Sequence, residues 1–431
     1  MNSNEDDNDD KEEEEILHLL RDRQAHLRYF ETIMHIALNN IQESHTQRLL
    51  LLYFALVGSD MMGAEWITSS SDSNRYKNEL YNELHLCYDV QIGGFQSEPL
   101  PLYVTGPTVA MTHCALHILN TCCMLPKATL EWIEREKVIS FILSCQINSN
   151  NSLYGSSFIG AFQSSPIISE VDIRFTYSAL MSLTLLCAPL PLSAIPSFLH
   201  VLDNAVAFVW RCWNPHEGGF GAVPGAESHG GMTFCAVASL VLCNAISSLT
   251  RSHRHLLLRY CTARVSRGPN DHNDTNSNNY SDDDDNNNYR SVDVQEKKNK
   301  KERKRRKTII GYQGRPQKDS DTCYTHWVGS TLQILCDNEN ECDGNSENDK
   351  LLIDPLPIMR FINSCTDHKK GGVSKCIGIK VDAVHSCLGL SGLLQHISFK
   401  PMLPVRPPHP VYGCSWEIVE KTKLPQLLKP R

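Results

Sequence analysis

From Leu17 to Leu56 apolar residues recur at helical spacing (Leu27, Phe30, Ile33, Ile36, Ala37), and Arg48 to Leu56 is almost wholly apolar. The spacing predicts that the chain opens with helices, one of them facing a core. Beyond Leu56 a single pattern recurs: a glycine-rich turn, a loop, then a polar residue opening a strongly apolar helix rich in small side chains. QIGGFQ from Gln91 leads to His113 and CALHIL, and YGSSFIGAFQ from Tyr154 leads to Asp172, Arg174 and YSALMSLTLL. HEGGFGAVPGAES from His216 leads to His229 and FCAVASLVL. GYQGRPQKDS from Gly311 leads to Asp321, Cys323 and WVGSTLQIL, and KKGGVSKC from Lys369 leads to His385 and CLGLSGLL.

With Gly268 to Lys307 set aside, the pattern returns every fifty to sixty residues or so, the length of a helical hairpin that must stack on its neighbours to bury its apolar face. One helix of each pair is apolar nearly throughout; the other, such as TLEWIEREKVISFILSCQ, is mixed. An inner ring of buried helices inside an outer amphipathic ring satisfies this, giving an all-α fold: an alpha-alpha barrel, or toroid, around a central apolar cavity. In that barrel the polar residues opening the inner helices converge at one end. An open, curved solenoid with polar helix caps and no site is the alternative.

The net charge of −8 changes the picture little, because much of it lies in segments too polar to bury a core. Residues 1–15 are almost entirely Asn, Asp and Glu and read as a disordered acidic tail. They lack the apolar core of a signal peptide, which points to the cytoplasm. The barrel is expected over 16–412, interrupted by a disordered insert at 268–307 and a polar insert at 337–350, with 413–431 as a C-terminal tail. The basic run KKNKKERKRRK, 297–307, directly follows an Asn- and Asp-rich half, and the two together read as a surface loop rather than a nucleic-acid patch. The 17 cysteines are odd in number and contain no Cys-x-x-Cys pair, which fits a reduced protein with small core thiols. The longest apolar segments are broken by Pro189, Pro191 and Pro196 or are too short for a bilayer, so no membrane span is expected.

The chemistry concentrates in Gly311 to Thr331. Arg315 and Lys318 precede Asp321, Cys323 and Tyr324, with Trp327 one helical turn on. Cations of this kind neutralise phosphate oxygens, and a carboxylate and a thiolate two residues apart can both face one zinc ion. Asp-x-Cys also arises by chance, and cations ahead of a helix are commonly just solvated.

In combination, HGGMTFCAVASL, GRPQKDSDTCYTHWVG, DAVHSCLGLSGL and DIRFTYSAL resemble the beta subunits of protein prenyltransferases, over about His26 to Leu394 apart from the inserts. The family fold is an alpha-alpha barrel with a central apolar cavity. The resemblance implies that Asp321, Cys323 and His385 hold one zinc ion, and that His229, Arg315, Lys318 and Tyr324 bind the diphosphate. It places Arg174 near the peptide substrate, and Tyr177 and Trp327 in the isoprenoid cavity. Three protein ligands leave the fourth zinc position open for the thiol of a substrate cysteine, which then attacks C1 of a prenyl diphosphate as a thiolate while the cations stabilise the leaving group.

Two positions speak to specificity within the family. Farnesyltransferase-like and Rab-prenylating chains carry an Asp ten positions before the zinc histidine, which in the farnesyl enzymes helps hold magnesium; here it is Lys375. A fixed ammonium in its place is the pattern of the type I geranylgeranyl enzymes and implies no magnesium requirement. Where type I enzymes place Thr on the cavity floor and farnesyl enzymes Trp, this chain has Leu50. The resemblance therefore implies geranylgeranyl transfer from geranylgeranyl diphosphate to C-terminal CaaX sequences, commonly ending in Leu, of Rho-, Rac- and Rap-type small GTPases. It also implies a catalytic set of Lys375, Tyr324 and Lys318 and, as partner, an alpha subunit shared with farnesyltransferase. A farnesyl or Rab-type beta subunit, a triterpene cyclase and a scaffold with a degenerate site are the alternatives. Six tryptophans and no Asp-rich motif inside the barrel argue against the cyclase.

Overall fold

Among the described residues six helices of small and apolar residues are wrapped by six amphipathic ones, paired in sequence. In chain order they are α1 (Arg23–Leu38) and α2 (Arg48–Met61), α3 (Arg75–Cys87) and α4 (Val109–Thr121), and α5 (Arg135–Ser144) and α6 (Ile173–Cys187). There follow α7 (Leu199–Arg211) and α8 (Gly230–Leu242), α9 (Arg251–Thr262) and α10 (Cys323–Asp337), and α11 (Pro355–Ser364) and α12 (Ala383–His396). A short α13 (Trp416–Lys421) ends the series. The computed structural model describes residues 22–39, 47–68, 75–97, 106–149, 153–267, 309–337, 354–396 and 404–428.

The even-numbered helices form the inner ring. Along α8 only Gly231 and Met232 escape full burial, whereas α7 buries Leu202, Ala205, Phe208 and Val209 on one stripe. Each inner helix packs against the next, from α2 to α4, α6, α8, α10 and α12, and α12 returns to α2. The ring is closed, which decides between the barrel and the open solenoid. TLEWIEREKVISFILSCQ is not one helix: a short helix, Leu125–Glu131, precedes α5, and Trp132 in the break stacks on His85 at 4.8 Å.

The glycine-rich turns form two-stranded antiparallel hairpins that lead from an outer helix to the next inner one. The residue types follow from the hydrogen bonds they must satisfy. Asp89, Asn214 and Asp367 each accept from two successive backbone N–H groups and so fix a turn. A hydroxyl in the first turn of the inner helix then takes the buried strand N–H: Thr112 from Phe95, Thr233 from Phe220, Ser386 from Val373. Gly371 shows why glycine is needed. Its φ is +78°, and a Cβ there would stand 2.1 Å from the carbonyl oxygen of Ala25. Beside it the Gly372 N–H donates to His26 Nδ1 at 3.0 Å, so the last unit locks onto α1.

Residues 413–428, expected as part of a tail, pack into the barrel instead. Asp60 at the end of α2 is wholly buried and accepts from Ser415 N at 2.9 Å and Ser415 Oγ at 3.1 Å, while Arg406 Nη1 approaches it at 3.2 Å. The carbonyl of Tyr412 meets His117 Nε2 at 2.7 Å, and that of Val411 accepts from the Tyr177 hydroxyl at 2.8 Å. Such contacts join residues hundreds of positions apart and have no local signature. The expected acidic tail 1–15, the insert 268–307 and residues 338–350 of the second insert lie outside the described residues. The strands flanking the first insert pair with each other, Arg267 opposite Ile310.

Asp60→Ala removes the carboxylate that holds Ser415 and Arg406. It is expected to cost about 3–5 kcal/mol of stability and to expose 404–428 to limited proteolysis ahead of the rest of the chain.

Candidate metal centre and cavity

The starts of α10 and α12 are built so that three metal-ligating groups face one another. Asp321 Oδ1 accepts from the Cys323 N–H at 2.9 Å and so caps α10. Its own N–H donates to the Tyr312 carbonyl at 2.9 Å, and the Thr322 N–H donates to the Lys375 carbonyl at 3.0 Å, tying α10 to two hairpins. At α12, Asp382 Oδ1 accepts from the His385 N–H at 3.0 Å, and Oδ2 sits 2.7 Å from His385 Nδ1. That bond turns His385 Nε2 toward Asp321 Oδ1, 3.3 Å away. The oxygen, sulfur and nitrogen donors of Asp321, Cys323 and His385 all lie within 4.8 Å of one another.

The electrostatics of the bare cluster call for a cation. Burial opposes a charge on His385, yet its hydrogen bonds to Asp321 and Asp382 raise its pKa to about 9. Burial and the Asp321 charge push the Cys323 thiol well up. A divalent ion among them reverses both tendencies, stabilising the thiolate and the unprotonated imidazole nitrogen. A carboxylate, a thiol and an imidazole with a carboxylate behind it are the donor set of a catalytic zinc site with an open position.

Cationic and hydroxyl groups adjoin the cluster. Lys375 Nζ lies 3.7 Å from Asp321 Oδ2. His229 caps α8, its Nδ1 accepting from the Gly231 N–H at 3.2 Å, and its Nε2 lies 2.9 Å from the Tyr324 hydroxyl. Burial and the charge of Arg315 lower the pKa of His229, so the ring is neutral. With Nδ1 accepting, the proton is on Nε2, and the Tyr324 O–H is left to donate to an anion. Arg315 and Lys318 are exposed on the loop before α10, Arg315 pairing with Glu227 at 3.1 Å. Arg174, on the first turn of α6, is clasped by Asp172 through Nε and Nη2.

A cavity of about 400 Å³ lies inside the inner ring, its wall including Tyr324 and Val384, the chain neighbours of Cys323 and His385, but none of the three cluster residues themselves. Leu50, Tyr177 and Trp327 line it, as do Arg174, His229 and Tyr324 at its polar end. Lys318, Arg315 and Lys375 are not on its wall. Sequence reasoning missed Asp382 and Glu227, each of which holds a predicted residue in place, and also Tyr53 and Gly413 on the wall; it placed Asp172 at a helix start without its clasp on Arg174. Asp382 was within reach, because an acid three residues before a histidine at a helix start is a cap that also reaches the ring. Gly413 was not, since only the fold brings it there.

The family model of the prenyltransferase alpha-alpha toroid domain matches residues 22–414. The type-1 geranylgeranyl transferase beta subunit of Arabidopsis thaliana is 26% identical, over 89% of this chain and 88% of its own. The type-2 beta subunit of Saccharomyces cerevisiae is also 26% identical, over 93% of this chain and 96% of its own. Among solved structures, Candida albicans protein geranylgeranyltransferase-I complexed with GGPP superposes with a TM-score of 0.65 at 21% identity, covering 95% of this chain and 99% of that one. At that identity the superposition speaks for the fold alone.

Elemental analysis of the purified protein is expected to find about one tightly held metal ion per chain, and Cys323→Ala to lose it. Asp382→Ala, which frees the His385 ring, is expected to weaken metal affinity by about 10- to 100-fold.

Proposed function

We propose that this chain, which belongs to the prenyltransferase alpha-alpha toroid family, is the catalytic beta subunit of a type I protein geranylgeranyltransferase. The supporting observation is the placement of Lys375 Nζ 3.7 Å from Asp321, at the edge of the candidate metal centre. Its ammonium stands where the resemblance puts a magnesium-binding Asp in farnesyl enzymes. In this reading Asp321, Cys323 and His385 hold zinc, which when bound supplies the lowered thiol pKa that makes a substrate cysteine a thiolate at neutral pH.

The chain's own residues do the rest. The apolar wall of Leu50, Tyr177 and Trp327 takes the isoprenoid and orients C1 toward the polar end of the cavity. The S–C1 bond forms as the C1–O bond breaks, and the diphosphate leaves with the electron pair. The Tyr324 hydroxyl, prepared by His229, donates to the departing oxygens, and Arg315, Lys318 and Lys375 neutralise their growing charge. No general base is required. Arg174, held by Asp172, contacts the peptide at the rim of the cavity.

The protein substrates are CaaX C-termini of Rho-, Rac- and Rap-type GTPases, and the enzyme is a heterodimer with the alpha subunit shared with farnesyltransferase. We place it in the cytoplasm, in keeping with the free thiols of the described cysteines. Among the described residues no single helix is long and apolar enough to cross a membrane. Leu50 favours a second reading only so far as leucine is larger than the Thr of type I enzymes; a farnesyl-type beta subunit, with its shorter chain, would follow from it.

The purified heterodimer is expected to transfer geranylgeranyl to a peptide ending in CaaL without magnesium, and to prefer geranylgeranyl over farnesyl diphosphate when both are offered. Equal use of the two, or activity lost when magnesium is chelated, would contradict the type I assignment. Lys375→Ala is expected to lower kcat by about two orders of magnitude.

A further inference from the structure

His326 stands on the cavity wall but holds neither metal nor diphosphate. Its ring packs against Trp327, with centroids 4.8 Å apart, and against Phe234 at 5.4 Å. Nδ1 lies 2.8 Å from Ser391 Oγ and 3.4 Å from Ser330 Oγ. Ser330 gives its proton to Gln395 Oε1 at 3.0 Å. Ser391 has no other hydrogen-bond partner among the described residues, so its proton goes to Nδ1. Burial lowers the His326 pKa to about 3, so the ring is neutral and carries its own proton on Nε2.

That N–H has no acceptor in the described protein, on a residue only 4% exposed that lines the cavity. Nε2 is not among the enclosed unpartnered atoms, so it faces the cavity, and on a mostly apolar wall its acceptor is to be sought in the occupant. On the proposed reading the occupant is a polyisoprenoid, whose hydrocarbon chain offers one kind of acceptor, the π face of its double bonds. An N–H group donates weakly to such a face. We infer that His326 is a specificity-determining residue that donates from Nε2 to an isoprene double bond, selecting an unsaturated chain over a saturated one. The inference rests on the reading of the cavity as a prenyl-chain site. It does not extend to His113, which also lines the cavity but whose unpartnered Nε2 is wholly enclosed.

The test is calorimetric binding of geranylgeranyl diphosphate and of the fully saturated twenty-carbon diphosphate to the metal-loaded heterodimer. The quantity read is the ratio of their Kd values, which is internal to each variant and independent of the fraction folded. His326→Phe, apolar and of similar shape, is expected to reduce the preference for the unsaturated chain by roughly two- to fivefold. His326→Gln, which keeps an N–H donor, is expected to retain it. An unchanged ratio in His326→Phe, or an equal fall in His326→Gln, overturns the inference. A wild-type heterodimer that binds neither compound overturns the reading beneath it, and the inference with it.

Discussion

The contact between α12 and α2 governs the rest of the architecture, because none of the inner helices can bury its apolar surface alone. Each is apolar around most of its circumference and needs a neighbour on both sides, and a finite row of such helices has two uncovered ends unless it bends back on itself. The packing of α12 on α2 removes both ends. Gly371 against Ala25 and Gly372 on His26 make the same closure in the outer layer. The left-handed glycine is what lets the backbones come so close.

Closure also explains why a site exists. Once the inner helices stand in a ring with a common direction, the residues that open them gather on one rim, whatever their separation in sequence. Asp321, Asp382, Asp172 and His229 each cap an inner helix with a side-chain acceptor. In the proposed reading the same four groups serve as, or hold, a metal donor, the metal histidine, the rim arginine and the tyrosine hydroxyl. Capping and chemistry use the same atoms. Positive helix starts pointing at a shared mouth favour the negative charge of a diphosphate there.

Much of this was legible in the chain because it repeats. The glycine turns, the polar residue at each helix start and the apolar helices that follow recur at near-constant spacing, so the barrel could be expected and Asp321, Cys323 and His385 assigned to one rim. The unforeseen parts are those without a period. Ser415 reaches Asp60 across 355 positions, and Val411 reaches Tyr177 across 234, so no local pattern announces that the chain's end walls the cavity. Glu227 beside Arg315 looks like an ordinary surface acid until the fold sets it against its cation across 88 positions. The small hairpins were legible only as turns, since strands of two or three residues carry too little alternation to register.

The claim on which the account turns is that Asp321, Cys323 and His385 hold one zinc ion at the mouth of an apolar cavity. Anomalous diffraction from crystals of the heterodimer, recorded on either side of the zinc absorption edge, tests it most directly. The account predicts a single strong peak within bonding distance of all three side chains. Diffraction that shows no zinc peak there, or one bonded to other residues, would contradict it.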